Sequence, residues 1–230
     1  MGTLLIIGLL SYLIGAIPSS LWAGKVYKKI DLRNYGSGNL GATNTFRILG
    51  WKAGVVVGLL DFGKGFIAAF YISGIATGAI PTVHSGWETE VFVQIYAGLM
   101  AVVGHMYSLF ANFKGGKGVL TACGMLYAIE PISISLALLV FLTVLFTSRY
   151  VSAASIIASI MYPIFLLLLR FGFDYAIDGS LMVITAVLAI TIVVKHRSNI
   201  QRLLNGTENR IRSFSPAKGR INEEQAGQGA

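Results

Sequence analysis

A succession of apolar runs, most of them long enough as helices to cross a bilayer, constrains this chain more than any other feature. A hydrocarbon core about 30 Å thick takes roughly 20 helical residues, and within it each backbone amide must be satisfied inside its own helix. The runs lie at 3–23, 53–80, 91–111, 119–148, 151–171 and 178–194. Proline lacks an amide donor and clashes with the turn before it. The fourth run, which contains Glu130 and Pro131, is therefore expected to form a short helix, a tight turn and a second helix. The expected fold is an all-α integral membrane protein with seven transmembrane segments, the fourth too short to cross comfortably alone. The first run has no cluster of positive charge ahead of it and no evident cleavage site, so it is expected to be a retained span.

Charge sets the expected orientation. All of the 18 lysines and arginines except Lys64 and Arg170 fall on one side of this segmentation, while His84, Glu88, Glu90, Glu130, Asp174 and Asp178 occupy the other. Positive loops stay in the cytoplasm, which puts the amino terminus outside and the carboxyl terminus inside. Residues 1–212 form one membrane domain, and the polar stretch 213–230 is expected to be disordered. The chain is 55% hydrophobic and 12% charged with a net charge of +8. That balance argues against a soluble nucleic-acid binder and for a protein facing anionic lipid or anionic substrates. The single Cys123 excludes an internal disulfide and a cysteine metal cluster.

Three polar clusters fall on the basic side. The first, YGSGNLGATN at 35–44, carries GxGxxG in Gly36, Gly38 and Gly41. A dinucleotide site needs a strand before those glycines, and here a span and a basic connector precede them. What remains is either a flexible loop or an anion site, and Ser37, Asn39, Thr43, Asn44 and Arg47 favour the second. The second cluster, GHMYSLFANFKGGKGVLT at 104–121, is no P-loop, because Ala111 stands where the first glycine belongs and Gly118 where the hydroxyl belongs. Gly115, Gly116, Lys117 and Gly118 read either as a tight turn between spans or as a phosphate loop with a lysine counter-charge. In the third, KHRSNIQRLLNGTENR at 195–210, His196, Asn199 and Arg202 share a helix face. A cationic helix end on headgroups explains the arginines but neither His196 nor Asn199, and Glu208 reads as a salt-bridge or cap residue. Together the clusters imply a cytoplasmic site for a small phosphorylated molecule. Asp61 and Lys64, three apart inside a span, are expected to form an ion pair bracing that site, with direct substrate contact as the alternative.

These motifs resemble the bacterial acyl-phosphate-dependent glycerol-3-phosphate acyltransferases, the PlsY family. GSGNLGATN with Arg47, GHMYSLFANFKGGKGVLT and HRSNIQRLLNGTE are similar to its three motifs, and LLDFGKG and RYVS also fit, so the resemblance spans residues 1 to 210. Leu120 stands where the second motif more often has alanine. The resemblance implies a multi-pass enzyme of the bacterial inner membrane with its site on the cytoplasmic face. It would move an acyl group from acyl phosphate to the sn-1 hydroxyl of glycerol 3-phosphate, giving lysophosphatidic acid and phosphate in the first step of phospholipid synthesis. An upstream acyl-phosphate-forming enzyme would be its metabolic partner. It further implies Ser37, Arg47, His196 and Asn199 as catalytic residues, and Gly36, Gly38, Asn39, Asn44, Gly115, Gly116, Lys117, Gly118 and Ser152 as substrate-binding. Asp61, Lys64 and Glu208 would be structural.

The residues agree with that chemistry. Five positions after His84, His105 and His196 stand Thr89, Phe110 and Gln201, so HxxxxD is absent, as is GxSxG. Direct attack by the substrate hydroxyl is therefore expected, its proton passing to a substrate phosphate or to His196. No metal or cofactor is expected. A transporter would place its polar groups near the midplane in repeated halves, and a lipid-binding scaffold would not need GSGN and GGKG together.

Overall fold

The computed structural model describes residues 2–75 and 87–211. The expected disordered stretch 213–230, His84 and the final residues of the second expected span lie outside the described residues. Among the described residues every regular element is a helix. Helices α1 (Gly2–Ala16) and α2 (Ser19–Lys28) share the first apolar run. A short polar connector leads to α3 (Ala42–Leu49) and α4 (Trp51–Ile67), which continues as a wider π turn over Ala68–Ile72. Then follow α5 (Thr89–Met106), α6 (Val119–Ile129), α7 (Pro131–Ser148), α8 (Val151–Gly172), α9 (Gly179–Lys195) and α10 (Arg197–Leu204).

Among the described residues five helical stretches are long and apolar enough to cross a membrane, namely Gly2–Lys28, Trp51–Ile72, Thr89–Ala111, Pro131–Ser148 and Val151–Gly172. A sixth is counted if α9 and α10, bent by 56° to each other, are taken as one. Helix α6 has 11 residues, about 16 Å of helix, and covers only half a core. The break between α6 and α7 sits at the expected Glu130 and Pro131. The Glu130 carboxylate accepts from the Ile132 and Ser133 N–H groups at 2.9 and 2.8 Å, capping α7 with proline in its first turn.

Glycines bring the helices close. A methyl group at Gly15 or Gly104 would overlap the backbone across the α1–α5 contact, and one at Gly65 or Gly124 would do so across α4–α6. Helices α5 to α9 close over Met125, Leu126, Ile134, Tyr162, Leu166 and Leu181. Outward, Leu59 and Ile190 are 66% and 65% exposed. Water would penalise such a surface, whereas hydrocarbon solvates it, as a multi-pass membrane protein requires.

The first run is not one continuous helix. Pro18 interrupts it, so the carbonyls of Ala16 and Ile17 lose their regular helical partners and are met by side chains from farther along the chain. Ser108 Oγ donates to the Ala16 carbonyl, and Lys64 Nζ donates to that of Ile17 at 2.6 Å. Lys64 also bonds Asp61 Oδ1 at 2.6 Å, with the two residues 4% and 3% exposed. A broken helix, a lysine and a carboxylate thus satisfy one another in a place where none is tolerable alone.

Candidate anion-binding site

Three helices begin at one cavity of about 410 Å³. They are α3 after Gly41, α6 after Gly118 and α8 after Tyr150, and none has a side-chain cap. Their first residues, Ala42 and Thr43, Val119 and Leu120, Val151 and Ser152, line the cavity wall. The first-turn N–H groups of a helix lack intrahelical partners and carry the positive end of its dipole. Glycine and tyrosine at the cap positions supply no oxygen to occupy those groups, so three anion-seeking ends open onto one space.

The first glycine loop forms the rim. Gly36 and Gly38 adopt φ of 63° and 68°, which glycine alone takes without cost. The loop is held from behind by Asn44, 1% exposed. Its Oδ1 accepts from Ser37 N–H at 2.9 Å, and its Nδ2 donates to the Leu32 and Tyr35 carbonyls, both at 3.1 Å. Gly38 and Gly41 N–H donate to the Tyr35 and Asn39 carbonyls at 3.1 Å each. Ser37, Gly38, Asn39 and Arg47 line the cavity, whereas Gly36 and Asn44 stand behind it.

In the second loop, Gly115 N–H donates to the Met106 carbonyl and Gly116 N–H to that of His105, both at 3.1 Å. These two amides finish α5 instead of facing the cavity, and Gly116 is outside the cavity lining. Gly118, with φ of 79°, turns the chain into α6. Lys117 reaches into the cavity and bonds Asn199 Oδ1. Burial lowers its pKa to about 8, the Glu208 charge opposing that fall and Arg202 adding to it.

Glu208 gathers the third cluster. Its Oε1 accepts from Asn199 Nδ2 at 2.8 Å and Ser152 Oγ at 3.0 Å, and its Oε2 from Arg202 Nε at 2.7 Å. Burial alone would raise its pKa, but those three donors outweigh burial and hold it below the usual carboxylate range. The segment beyond α10 is tied back by Ile211 N–H to the Arg149 carbonyl at 2.9 Å. His196, at the bend after α9, lines the cavity with Nδ1 2.8 Å from the Ile192 carbonyl. In the neutral ring that contact makes Nδ1 the donor and leaves Nε2 as acceptor. Burial, with help from Lys117, holds its pKa below the ordinary histidine value.

The chain matches the family model of glycerol-3-phosphate acyltransferases over residues 5–206. It is 50% identical over 224 residues to a glycerol-3-phosphate acyltransferase of Salinibacter ruber, covering 96% of this chain and 98% of that protein. The chain belongs to the glycerol-3-phosphate acyltransferase family. A second relative of that name, from Chlorobaculum tepidum, is 43% identical over 229 residues, with 91% of this chain and 97% of the relative covered. The fold agrees with the crystal structure of PlsY (YgiH), an integral membrane glycerol 3-phosphate acyltransferase, in its glycerol 3-phosphate form. The TM-score is 0.74 at 38% identity, over 91% of this chain and 96% of that one. The lysophosphatidic acid form of PlsY gives a TM-score of 0.72 at 36% identity, over 93% and 98%.

Set in that family, the site unites residues from across the sequence. The cavity is lined by Ser37, Gly38, Asn39, Arg47, Asp61, Gly115, Lys117, Gly118, Ser152, His196, Asn199 and Glu208, while Gly36, Asn44, Lys64 and Gly116 support it from outside. Sequence reasoning gave no role to His105, Ser155, Ser198 or Asn209, which also line it. His105 had a readable signal, as an ionisable residue within an apolar run. Ser155 had one too, a helical turn after Ser152 on the same face.

Proposed function

We propose that this chain transfers a fatty acyl group from acyl phosphate to the sn-1 hydroxyl of glycerol 3-phosphate, releasing lysophosphatidic acid and inorganic phosphate. One observation carries the reading. Three uncapped helix starts meet Lys117, Arg47 and Arg202 around one cavity, against few carboxylates. Two phosphate-bearing substrates repel each other, and a shared pocket must offset that with oriented N–H groups and cations. Among the described residues no group of three or more His, Cys, Asp or Glu side chains is placed to hold a metal.

In this reading Lys117 and the start of α6 hold a phosphate, and Ser152 with the start of α8 orients the acceptor. Ser37 and Arg47 face the transferring group. The acceptor oxygen attacks the acyl carbon, the carbon–oxygen bond to phosphate breaks, and the hydroxyl proton passes to a substrate phosphate or to Nε2 of His196. Acyl phosphate is already activated, so positioning and oxyanion stabilisation suffice. Asn199 holds Lys117 in place and Glu208 holds Asn199. Seven membrane segments, with the amino terminus outside and the cavity on the cytoplasmic face of the bacterial inner membrane, complete the proposal. The supporting feature is the clustering of basic loops at the cavity end, with Glu130 and Asp178 capping helices at the other.

The test offers acyl phosphate, acyl-CoA and acyl carrier protein separately to the purified protein with glycerol 3-phosphate. Product from acyl phosphate alone, lost in Ser37→Ala, is expected. Product from a different donor, or from none, would overturn the donor assignment or the activity. Full turnover of His196→Ala with an unchanged pH profile would leave a substrate phosphate as the proton acceptor.

A further inference from the structure

His105 takes no part in the chemistry above, yet it is buried on α5 against the loop that carries Lys117. Its Nδ1 lies 3.7 Å from Asp61 Oδ1. Its Nε2 lies so near Gly116 that a methyl group on that glycine would overlap it. Its own carbonyl accepts the Gly116 N–H at 3.1 Å. Asp61 is fixed in turn by Lys64 Nζ at 2.6 Å and by Ser19 Oγ, which donates at 3.0 Å. The void among these groups is about 10 Å³, close to the least that admits one water. A chain of polar contacts therefore runs from the break in the first span, through Asp61 and His105, which also line the large cavity, to the glycine loop.

We propose that His105 is a positioning residue. Its wedge between Asp61 and Gly116 sets the height of the Gly115–Gly118 loop, and with it the place of the Lys117 ammonium relative to the start of α6. The proposal rests on the cavity being a phosphate site. His105 is not assigned as the base, since one ring nitrogen faces Asp61 and the other lies against Gly116. A slip of the Lys117 ammonium away from its phosphate weakens a charge-assisted contact and is expected to cost about tenfold in phosphate affinity.

The test compares His105→Asn, His105→Gln and His105→Ala with wild type in detergent. Asparagine can keep a polar contact to Asp61 but leaves the space beside Gly116 empty, and glutamine does the reverse. Two readouts are taken: the rise in unfolding temperature produced by inorganic phosphate, and KM and kcat for glycerol 3-phosphate. In His105→Ala and His105→Asn the concentration of phosphate needed for half the stabilisation, and KM, are expected to rise about tenfold, with kcat within about threefold. His105→Gln should recover most of that loss. On a Lys117→Met background, His105→Asn should add less than a twofold change, since both act at one place. Unchanged phosphate stabilisation and KM in folded His105→Asn would overturn the proposal. So would a fall in kcat at constant KM with a changed pH profile, which would place His105 in the chemistry. Wild type that binds phosphate but acylates nothing would defeat the proposed activity and leave this inference to the phosphate readout alone.

Discussion

The two glycine loops of the cavity use glycine for different reasons. In the 35–41 loop, Gly36 and Gly38 take left-handed φ, and the turn is fixed by a side chain, Asn44. In the 115–118 loop, Gly115 and Gly116 are not left-handed. They are glycines because the His105 backbone and ring and the Leu40 carbonyl leave no space for a Cβ. Both loops spend several of their amides internally. Glycine-rich loops suggest an amide cradle, but here the loops mainly shape the cavity, and its open donors are helix starts and side chains.

The largest test of that contrast is Lys117→Met, which should lower kcat/KM by about 10²–10³-fold. A loss under tenfold would return the anion to the loop amides. Gly116→Ala comes next. The added methyl must push the loop from the His105 ring and the Leu40 carbonyl, and kcat/KM should fall on the order of 10²-fold. Asn44→Ala should act on stability, removing the hydrogen bonds that tie the Ser37 N–H and the Leu32 and Tyr35 carbonyls together at a cost of about 1–3 kcal/mol, read as a lower unfolding temperature in detergent. Gly38→Ala should cost about 1–2 kcal/mol for its φ and leave kcat/KM within a few-fold. If Gly38→Ala inactivates and Gly116→Ala does not, the roles of the loops are exchanged.

The smallest effect is on pH. With Lys117 titrating at about 8, kcat/KM should decline by about fourfold between pH 7 and 8.5 as the ammonium is lost. Stability moves the other way. The lysine pKa is depressed in the fold, so above pH 8 and up to the ordinary lysine value the unfolded chain binds the extra proton, and this group's contribution to stability rises with pH. A kcat/KM that stays flat to pH 9 would mean that Lys117 keeps its charge or does not meet the anion.

The helices were legible because a bilayer sets a length that apolar runs must meet, and because Glu130 and Pro131 announce a cap and a break together. Asp61 and Lys64 were legible as a pair by their spacing. The interruption at Pro18 was passed over inside an apolar run, and its resolution depends on Lys64 and Ser108, far along the chain. Which amides a loop keeps free could not be read either. That depends on Met106 and His105 carbonyls ending α5 just where the glycines pass. Asn44 looked like a ligand because a polar side chain in a motif does not reveal which way it faces.

Helix α6 is 11 residues long and leads directly into α7, which is long enough to cross the whole core. If the α6–α7 corner lies at one boundary of the hydrocarbon, the first turn of α6 stands about 16 Å from that boundary, at the floor of a cavity that in the proposed orientation opens to the opposite, cytoplasmic face. A phosphorylated headgroup entering the cavity would then travel down to the level of lipid tails, where each charge interaction is stronger than in water. The acyl chain would need no lifting out of the oil: the water-soluble partner would make the journey, and the greasy one could stay at home.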